Sequence, residues 1–124
     1  MILILGGAYQ GKRSYTKRRF SLDEEDIFTC SDSYVDYSKK CLDHLEEFTY
    51  ACVRDGKDPL AYIMENQSQI QDKVLICQDI FCGVVPMERD LRLWRDATGK
   101  LCQYLASEAD SVYRLYCGLE QRLK

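Results

Sequence analysis

The sequence has little of several residue types, and each shortage argues against a class of protein. Its 124 residues include only 2 Pro and 7 Gly, and it has no segment of low complexity. This is the composition of a folded globular chain rather than of a disordered or collagen-like one. The length fits one compact domain, which we take as residues 1–124.

The sequence has few residues in patterns that could bind a metal. The chain has 1 His, and its 7 Cys include no C-x-x-C pair. Closed zinc sites usually draw their ligands from closely spaced pairs, so a structural zinc is not expected. The cysteines lie in apolar stretches and are interpreted as reduced residues of the core: Cys30, Cys41, Cys52, Cys77, Cys82, Cys102 and Cys117.

A surplus of positive charge and long apolar runs are both missing. The formal net charge is -3, which argues against a nucleic-acid partner held mainly by phosphate contacts. The apolar run Met1–Leu5 is too short for the core of a signal peptide or for a membrane span. We therefore expect a cytoplasmic protein without a nucleic-acid or membrane partner.

Short apolar runs alternate with amphipathic segments along the chain. Four runs are predicted to be strands: Met1–Leu5, Ile27–Cys30, Lys73–Cys77 and Ser111–Cys117. Helices are predicted at Lys12–Phe20, Tyr34–Val53, Pro59–Gln69 and from Pro86 onwards. This alternation predicts an α/β fold with a mainly parallel sheet of about four to five strands and helices on both faces.

The predicted helix Tyr34–Val53 contains the only histidine, His44. Its apolar stripe recurs every three or four residues, at Tyr37, Cys41, Leu45, Phe48 and Cys52. His44 lies at the edge of this stripe, where we interpret it as a hydrogen-bonded helix residue rather than a nucleophile.

A glycine-rich motif follows the first predicted strand. Residues 6–13 match the P-loop pattern G-x-x-x-x-G-K-[ST] except at the last position, which is Arg13. Between a buried strand and a helix, backbone N–H groups of such a loop can converge on a phosphate, and Lys12 adds a point charge. Glycine-rich turns also occur without nucleotide, but the context favours a phosphate site. The candidate nucleotide-binding residues are Gly6, Gly7, Ala8, Tyr9, Gln10, Gly11, Lys12, Arg13 and Ser14.

Arg13 puts the usual magnesium site in doubt, because a guanidinium cannot bind a cation. The hydroxyl of Ser14 is one residue further along, rotated by about 100° and raised by about 1.5 Å, so it is not a simple substitute. Arg13 either supplies positive charge directly to a phosphate or is a solvated surface residue. The ring of Tyr9 either stacks on a base or covers the strand. Asp79 follows a predicted strand at the end where ligands of open α/β sheets bind.

The second half of the chain carries an ordered string of short motifs. They are Gly83-Val84-Val85-Pro86, Arg92-Leu93-Trp94-Arg95-Asp96-Ala97-Thr98-Gly99, Gln103-Tyr104-Leu105-Ala106 and Gly118-Leu119-Glu120-Gln121-Arg122-Leu123-Lys124. Together with the loop, they resemble the adenosylcobinamide kinase / adenosylcobinamide-phosphate guanylyltransferase family of cobalamin assembly, over roughly residues 1–31 and 72–124.

The resemblance implies a P-loop NTPase-like domain that binds GTP or ATP and phosphorylates a hydroxyl of a corrinoid substrate. Lys12 would hold the β-phosphate, and Asp79, in the pair Gln78-Asp79 where the family has Asn-Glu, would lie near the transferred group. These two residues are the catalytic candidates.

The chain departs from the family pattern at Arg13, Phe81, Cys82 and Cys102. The family segment with the guanylylated histidine and a second acidic strand is expected to be shortened or absent between residues 32 and 71, so guanylyltransferase activity is not expected. Two hypotheses stay open. The protein is either a kinase or a catalytically degenerate nucleotide- or phosphate-binding protein with a regulatory or assembly role, and either is compatible with a homo-oligomer.

Overall fold

The computed structural model describes residues 1–80 and 87–124, and these form one six-stranded sheet in the order β2-β3-β4-β1-β5-β6. The strands are β1 Ile2–Gly6, β2 Ile27–Thr29, β3 Cys41–Asp43, β4 Val74–Gln78, β5 Ser111–Tyr116 and β6 Leu119–Arg122. All neighbours pair in parallel except β5 and β6, which are antiparallel. The predicted α/β class and mainly parallel sheet are confirmed, with more strands than expected.

Five α-helices accompany the sheet in the described part of the chain. They are α1 Lys12–Arg19, α2 Leu45–Arg54, α3 Pro59–Glu65, α4 Gln67–Ile70 and α5 Arg89–Glu108. Asp58 caps α3 by accepting the Leu60 N–H at 3.0 Å, with Pro59 in the first helical position. The predicted start at Pro86, and the departures at Phe81 and Cys82, lie outside the described residues.

Helices cover both faces of the sheet, as predicted. In the central strand β1, consecutive residues Leu3 and Ile4 point to opposite faces, and both are fully buried. Ile4 packs in a cluster with Tyr15 of α1. Leu3 packs in the larger cluster with side chains of α2 and α5, including Phe48 and Leu101. No described helix is long and apolar enough to cross a membrane.

The prediction of a single helix over Tyr34–Val53 is wrong. Cys41–Asp43 forms β3, and helix α2 begins only at Leu45. His44 links them in a left-handed conformation (φ 58°), so it precedes the helix rather than lying within it. The physical reason is burial. Cys41 and Leu42 are consecutive and both fully buried beside β4, as expected for a strand that is covered on both faces. A strand that ends in an aspartate, β3, therefore lies in the stretch 32–71, where the family segment was expected to be shortened or absent.

A tight hairpin ends the described chain. Cys117 (φ 52°) and Gly118 (φ 74°) form a two-residue turn of the type I′ kind, and β6 returns beside β5. The single last strand predicted from Ser111 to Cys117 thus ends one residue earlier. Cys117 is exposed, which contradicts its interpretation as a core residue. The other described cysteines are free and buried: Cys30, Cys41, Cys52, Cys77 and Cys102.

Candidate phosphate-binding site

The loop between β1 and α1 has the geometry that a phosphate cradle needs. Gly11 adopts a left-handed conformation (φ 84°) and caps α1, which starts at Lys12. A Cβ at Gly6 would lie 2.9 Å from the Leu115 carbonyl oxygen, so β5 leaves no room for a side chain there. The two glycines therefore let the chain turn tightly and direct the N–H groups at the start of α1 toward one cleft.

Gln10 fastens the loop to the hairpin rather than to the cleft. Its backbone oxygen accepts the Gly118 N–H at 3.0 Å, and its side-chain Oε1 accepts the Cys117 N–H at 2.5 Å. The P-loop pattern predicts Gln10 to be a nucleotide-binding residue. The structure gives it an anchoring contact, and no local sequence signal links residue 10 to a turn at residue 117.

Lys12 is held by a neutral partner. Its Nζ donates to the Gly7 carbonyl oxygen at 2.5 Å, within the loop itself. Burial lowers the pKa of Lys12, although the carboxylates of Glu46, Asp43 and Asp79 oppose that effect. A half-buried ammonium whose partner among the described residues is a neutral carbonyl gains from an incoming anion, because the anion replaces the hydration that burial removed.

Arg13 is only partly exposed, and its side chain connects α1 to β2 and β3. Its Nη1 donates to Asp43 Oδ2 at 2.9 Å and to Thr29 Oγ1 at 2.9 Å. Its Nη2 donates to Glu24 Oε2 at 2.5 Å. The hydrogen bond to Glu24, followed by that to Asp43, raises the pKa of Arg13. Arg13 is thus a cation fixed in place by two carboxylates, and its interpretation as a solvated surface residue is wrong.

At the end of β3, the Asp43 carboxylate contacts Arg13 where a P-loop enzyme would have a metal contact. In P-loop enzymes a Ser or Thr after the lysine and a carboxylate at a strand end hold Mg²⁺ between them. Here the residue after the lysine is Arg13, and its guanidinium contacts Asp43 directly. The side chain of Asp43 is only 4% exposed and already carries this cation. The residues present do not fit Mg²⁺ in that arrangement.

A buried carboxylate and His44 form the wall beside this ion pair. Glu46 is buried, and its Oε1 accepts the Gln78 N–H at 2.8 Å. Its Oε2 lies 2.8 Å from His44 Nδ1. His44 Nε2 lies 3.9 Å from Asp43 Oδ2, on the cleft side. His44 is hydrogen-bonded, as interpreted from the sequence, but it faces the cleft. Sequence reasoning missed both Asp43 and Glu46, and the signal for them was the short buried run Cys41-Leu42 ending in an aspartate.

The cleft between these groups has a volume of about 410 Å³. Most of the predicted nucleotide-binding residues line it, and Asp43, His44 and Gln78 join them: the lining is Ala8, Tyr9, Gly11, Lys12, Arg13, Ser14, Asp43, His44 and Gln78. Asp79 is not in this lining, although its N–H donates to the Gly6 oxygen at 2.7 Å beside the loop. Tyr9 is fully exposed, so its ring does not cover the strand.

A comparison with protein-family models decides the relationship. The model for cobinamide kinase / cobinamide phosphate guanyltransferase matches residues 32–123. The chain belongs to this family. The match supports the interpretation that this chain is a nucleotide-binding protein of cobalamin biosynthesis. It includes residues 32–71, where the sequence analysis expected the family segment to be shortened or absent, and it begins after the loop. The geometry of the loop is therefore independent evidence for a phosphate site. A search of curated proteins gave no match.

Proposed function

We propose that this chain binds the phosphates of GTP or ATP at the loop, with Arg13 as a fixed cation in place of Mg²⁺, and that it turns the nucleotide over poorly or not at all. The observation that carries the proposal is the contact between Arg13 and Asp43 at 2.9 Å. It joins the two positions between which a P-loop enzyme holds its metal.

The charges of the cleft support binding without a metal. A guanidinium has five N–H donors, and the contacts with Asp43, Thr29 and Glu24 use three of them. The other two donors have no hydrogen-bond partner among the described residues, so they are available to a phosphate oxygen. Lys12 supplies a second cation on the loop side, and the start of α1 supplies backbone N–H groups. A nucleotide phosphate can therefore meet two cations and the loop amides at once.

The same arrangement weakens catalysis. In phosphoryl transfer the metal bridges β- and γ-oxygens and neutralises charge that develops in the transition state. The charge of Arg13 is already shared with Asp43 and Glu24, whose carboxylates hold it in one place. Arg13 stabilises a bound phosphate but offers little extra stabilisation as the charge redistributes, and only such extra stabilisation raises the rate.

A kinase remains the second candidate, because two of its parts are present. Lys12 occupies the P-loop lysine position, and the Asp79 carboxylate is near enough to affect the pKa of Lys12. The family relationship supports a corrinoid hydroxyl as the acceptor. In this alternative Asp79 would orient or deprotonate that hydroxyl.

Calorimetric titration with GTP and ATP, in EDTA and in Mg²⁺, tests the proposal. We expect the wild-type chain to bind equally well in both buffers. Lys12→Ala should bind at least about tenfold more weakly, since it loses a charge-assisted contact. Arg13→Ser should bind weakly in EDTA and gain affinity in Mg²⁺, because it restores the hydroxyl. Ser14→Ala is the matched control and should behave like the wild type.

Two outcomes would contradict the proposal. Absence of heat with either nucleotide in both buffers would remove nucleotide binding, and strictly Mg²⁺-dependent binding by the wild-type chain would remove the role of Arg13. A phosphoryl-transfer assay with adenosylcobinamide separates the two candidates. Turnover by the wild-type chain that is lost in Asp79→Asn would favour the kinase.

A further inference from the structure

The two ring nitrogens of His44 have different surroundings at the edge of the cleft. Nδ1 lies 2.8 Å from Glu46 Oε2, and Nε2 lies 3.9 Å from Asp43 Oδ2. The second distance is too long for a hydrogen bond, so Nε2 has no such partner among the described residues. On the basis of the function proposed above, we propose that His44 is a third phosphate-binding group that acts only when it is protonated. The chain then takes up a proton as it binds a nucleotide.

The carboxylate of Glu46 determines which nitrogen carries the hydrogen of the neutral ring. An ionised carboxylate only accepts hydrogen bonds, so Nδ1 of His44 is the donor in the 2.8 Å contact. A neutral imidazole has one N–H, and Nε2 therefore presents a lone pair to the cleft. Ionised phosphate oxygens offer lone pairs as well, so the neutral ring opposes an anion. Protonation turns Nε2 into a charged donor, which is a strong partner for a phosphate.

Glu46 can hold the ring in this way because it is itself fixed at two points. Its side chain is only 3% exposed, and Oε1 accepts the Gln78 N–H at 2.8 Å. Its backbone oxygen accepts the Trp94 Nε1–H at 2.8 Å, which joins the first turn of α2 to α5. Glu46 does not line the cleft, and it is a positioning residue that acts on a ligand through the ring of His44.

The backbone brings the ring to the cleft in an uncommon conformation. His44 is left-handed (φ 58°, ψ 47°) at the junction between β3 and α2, which is rare for residues other than glycine. Its N–H donates to Asp43 Oδ1 at 2.7 Å, and this bond stabilises the junction. Uncommon backbone conformations concentrate at binding sites, and this one places His44 in the lining of the same cleft as Lys12 and Arg13.

Other charged groups surround the ring and must be separated from it in a test. They belong to α1, the end of β3, the first turn of α2 and the residue after β4: Lys12, Arg13, Asp43, Glu46 and Asp79. The guanidinium of Arg13 keeps its charge in proteins. Burial lowers the pKa of Lys12, and the terminal phosphate of a nucleotide also titrates. Lys12 and the nucleotide are the same in all the chains compared below, so differences between chains isolate His44.

Nuclear magnetic resonance of the full chain with ¹⁵N-labelled histidine tests the tautomer directly, because the chain has 1 His. Near pH 8 and without nucleotide, we expect the ring of the wild type to carry its hydrogen on Nδ1. In Glu46→Gln the new amide can accept the Gln78 N–H and donate to Nδ1, so the hydrogen should move to Nε2. Adding GTP in EDTA near pH 7.5 should increase the protonated fraction of the wild-type ring, since proton and nucleotide binding are coupled reciprocally.

Calorimetric titration with GTP in EDTA, near pH 5.5 and near pH 8.5, gives the matching affinities. Between these two conditions the wild type should lose about tenfold more affinity than His44→Asn, which tolerates the left-handed backbone and lacks the ring. Glu46→Gln should bind GTP more tightly than the wild type near pH 8.5, with a much smaller gain near pH 5.5. Glu47→Gln removes an exposed charge of the same helix and is the control, so it should keep the pH dependence of the wild type.

These measurements distinguish failure of this proposal from failure of nucleotide binding. GTP that binds but leaves the ring signals unchanged would overturn the role of His44 and leave the proposed function intact. So would equal pH dependence in the wild type and His44→Asn, or an equal gain by Glu46→Gln at both pH values. A free wild-type ring with its hydrogen on Nε2 would also overturn the role, and this result needs no variant. Absence of heat at both pH values would overturn both proposals.

Discussion

The two walls of the cleft are built in opposite ways. The loop wall consists of backbone groups and Lys12, whose ammonium donates to the Gly7 carbonyl oxygen. The opposite wall, which we call the carboxylate wall, consists of Asp43, His44 and Glu46, and Arg13 is held there by its ion pair with Asp43. Among the described residues, one wall holds its cation by a neutral oxygen, and the other holds its cation by full charges.

This difference indicates which wall can respond to a ligand. Moving Lys12 from the Gly7 oxygen to a phosphate exchanges a neutral acceptor for a charged one, which is the stronger partner. Moving Arg13 would expose the buried charge of Asp43, so Arg13 stays where it is. The loop wall is therefore the adaptable one, and substitutions in the two walls should have different, even opposite, effects on stability.

Asp43→Ala should have the largest effect, because it breaks the carboxylate wall. The variant removes a buried carboxylate and leaves the partly buried Arg13 without its main inner partner. We expect the free energy of unfolding in urea to fall by about 2–3 kcal/mol, less than for a fully buried pair because Arg13 is part exposed. Asp72→Ala, at an exposed position, is the control and should change stability by less than about 0.5 kcal/mol. Equal losses in the two variants would show that the wall contributes no stability.

Gln10→Ala tests whether the contact with the hairpin holds the loop wall in position. The variant removes the acceptor for the Cys117 N–H and keeps the backbone bond to Gly118. We expect a loss of about 1 kcal/mol in the free energy of unfolding, a typical cost of one hydrogen bond, together with a several-fold loss of nucleotide affinity. Gln69→Ala is the control for losing an exposed glutamine side chain. Unchanged nucleotide affinity in Gln10→Ala would mean that the hairpin does not position the loop.

The two walls also differed in how well the sequence predicts them. The loop wall follows from local information: a buried strand, glycines where the chain turns tightly, and a lysine at a fixed spacing. The strand-to-helix boundaries around it, Gly6 and Lys12, agree with the prediction within a residue. Local chain geometry determines this wall, so a motif is enough to find it.

The carboxylate wall depends on contacts between distant residues. Its strand β3 has only three residues, and the spacing from Cys41 to Leu45 fits a helical stripe as well as a strand followed by a helix. Only pairing with β4 makes the strand favourable, and that pairing joins residues far apart in the sequence. The partners of Arg13 were unpredictable for the same reason, because Thr29 and Asp43 meet it only after the sheet has formed.

Lys12→Met should change the free energy of unfolding by a smaller amount and in the opposite direction, so that the variant is more stable than the wild type. The pKa of Lys12 is lowered below its usual value of 10.5, chiefly by burial, so its charge costs stability at neutral pH. We expect the variant to have a slightly higher free energy of unfolding while losing nucleotide binding, a common trade between stability and function. As the pH rises through the folded-state pKa of Lys12 toward 10.5, the wild type loses its penalty and the difference should shrink. A variant less stable than the wild type at pH 7 would contradict this account.

Glu24→Gln should have the smallest effect, visible mainly in acid, because it breaks only the exposed end of the Arg13 contact. The hydrogen bonds from Arg13 and then Lys17 lower the pKa of Glu24 from 4.5 to about 2. A carboxylate with a lowered folded-state pKa stabilises the protein above its unfolded-state pKa, and that contribution disappears as the pH falls through the folded-state value. Urea unfolding between pH 6 and pH 2 should therefore show the wild type and Glu24→Gln converging below about pH 4.5. Glu25→Gln removes the neighbouring charge outside the Arg13 contact and is the control. A constant difference across this range would mean that Glu24 acts by packing, and that only Asp43 fixes Arg13 by charge.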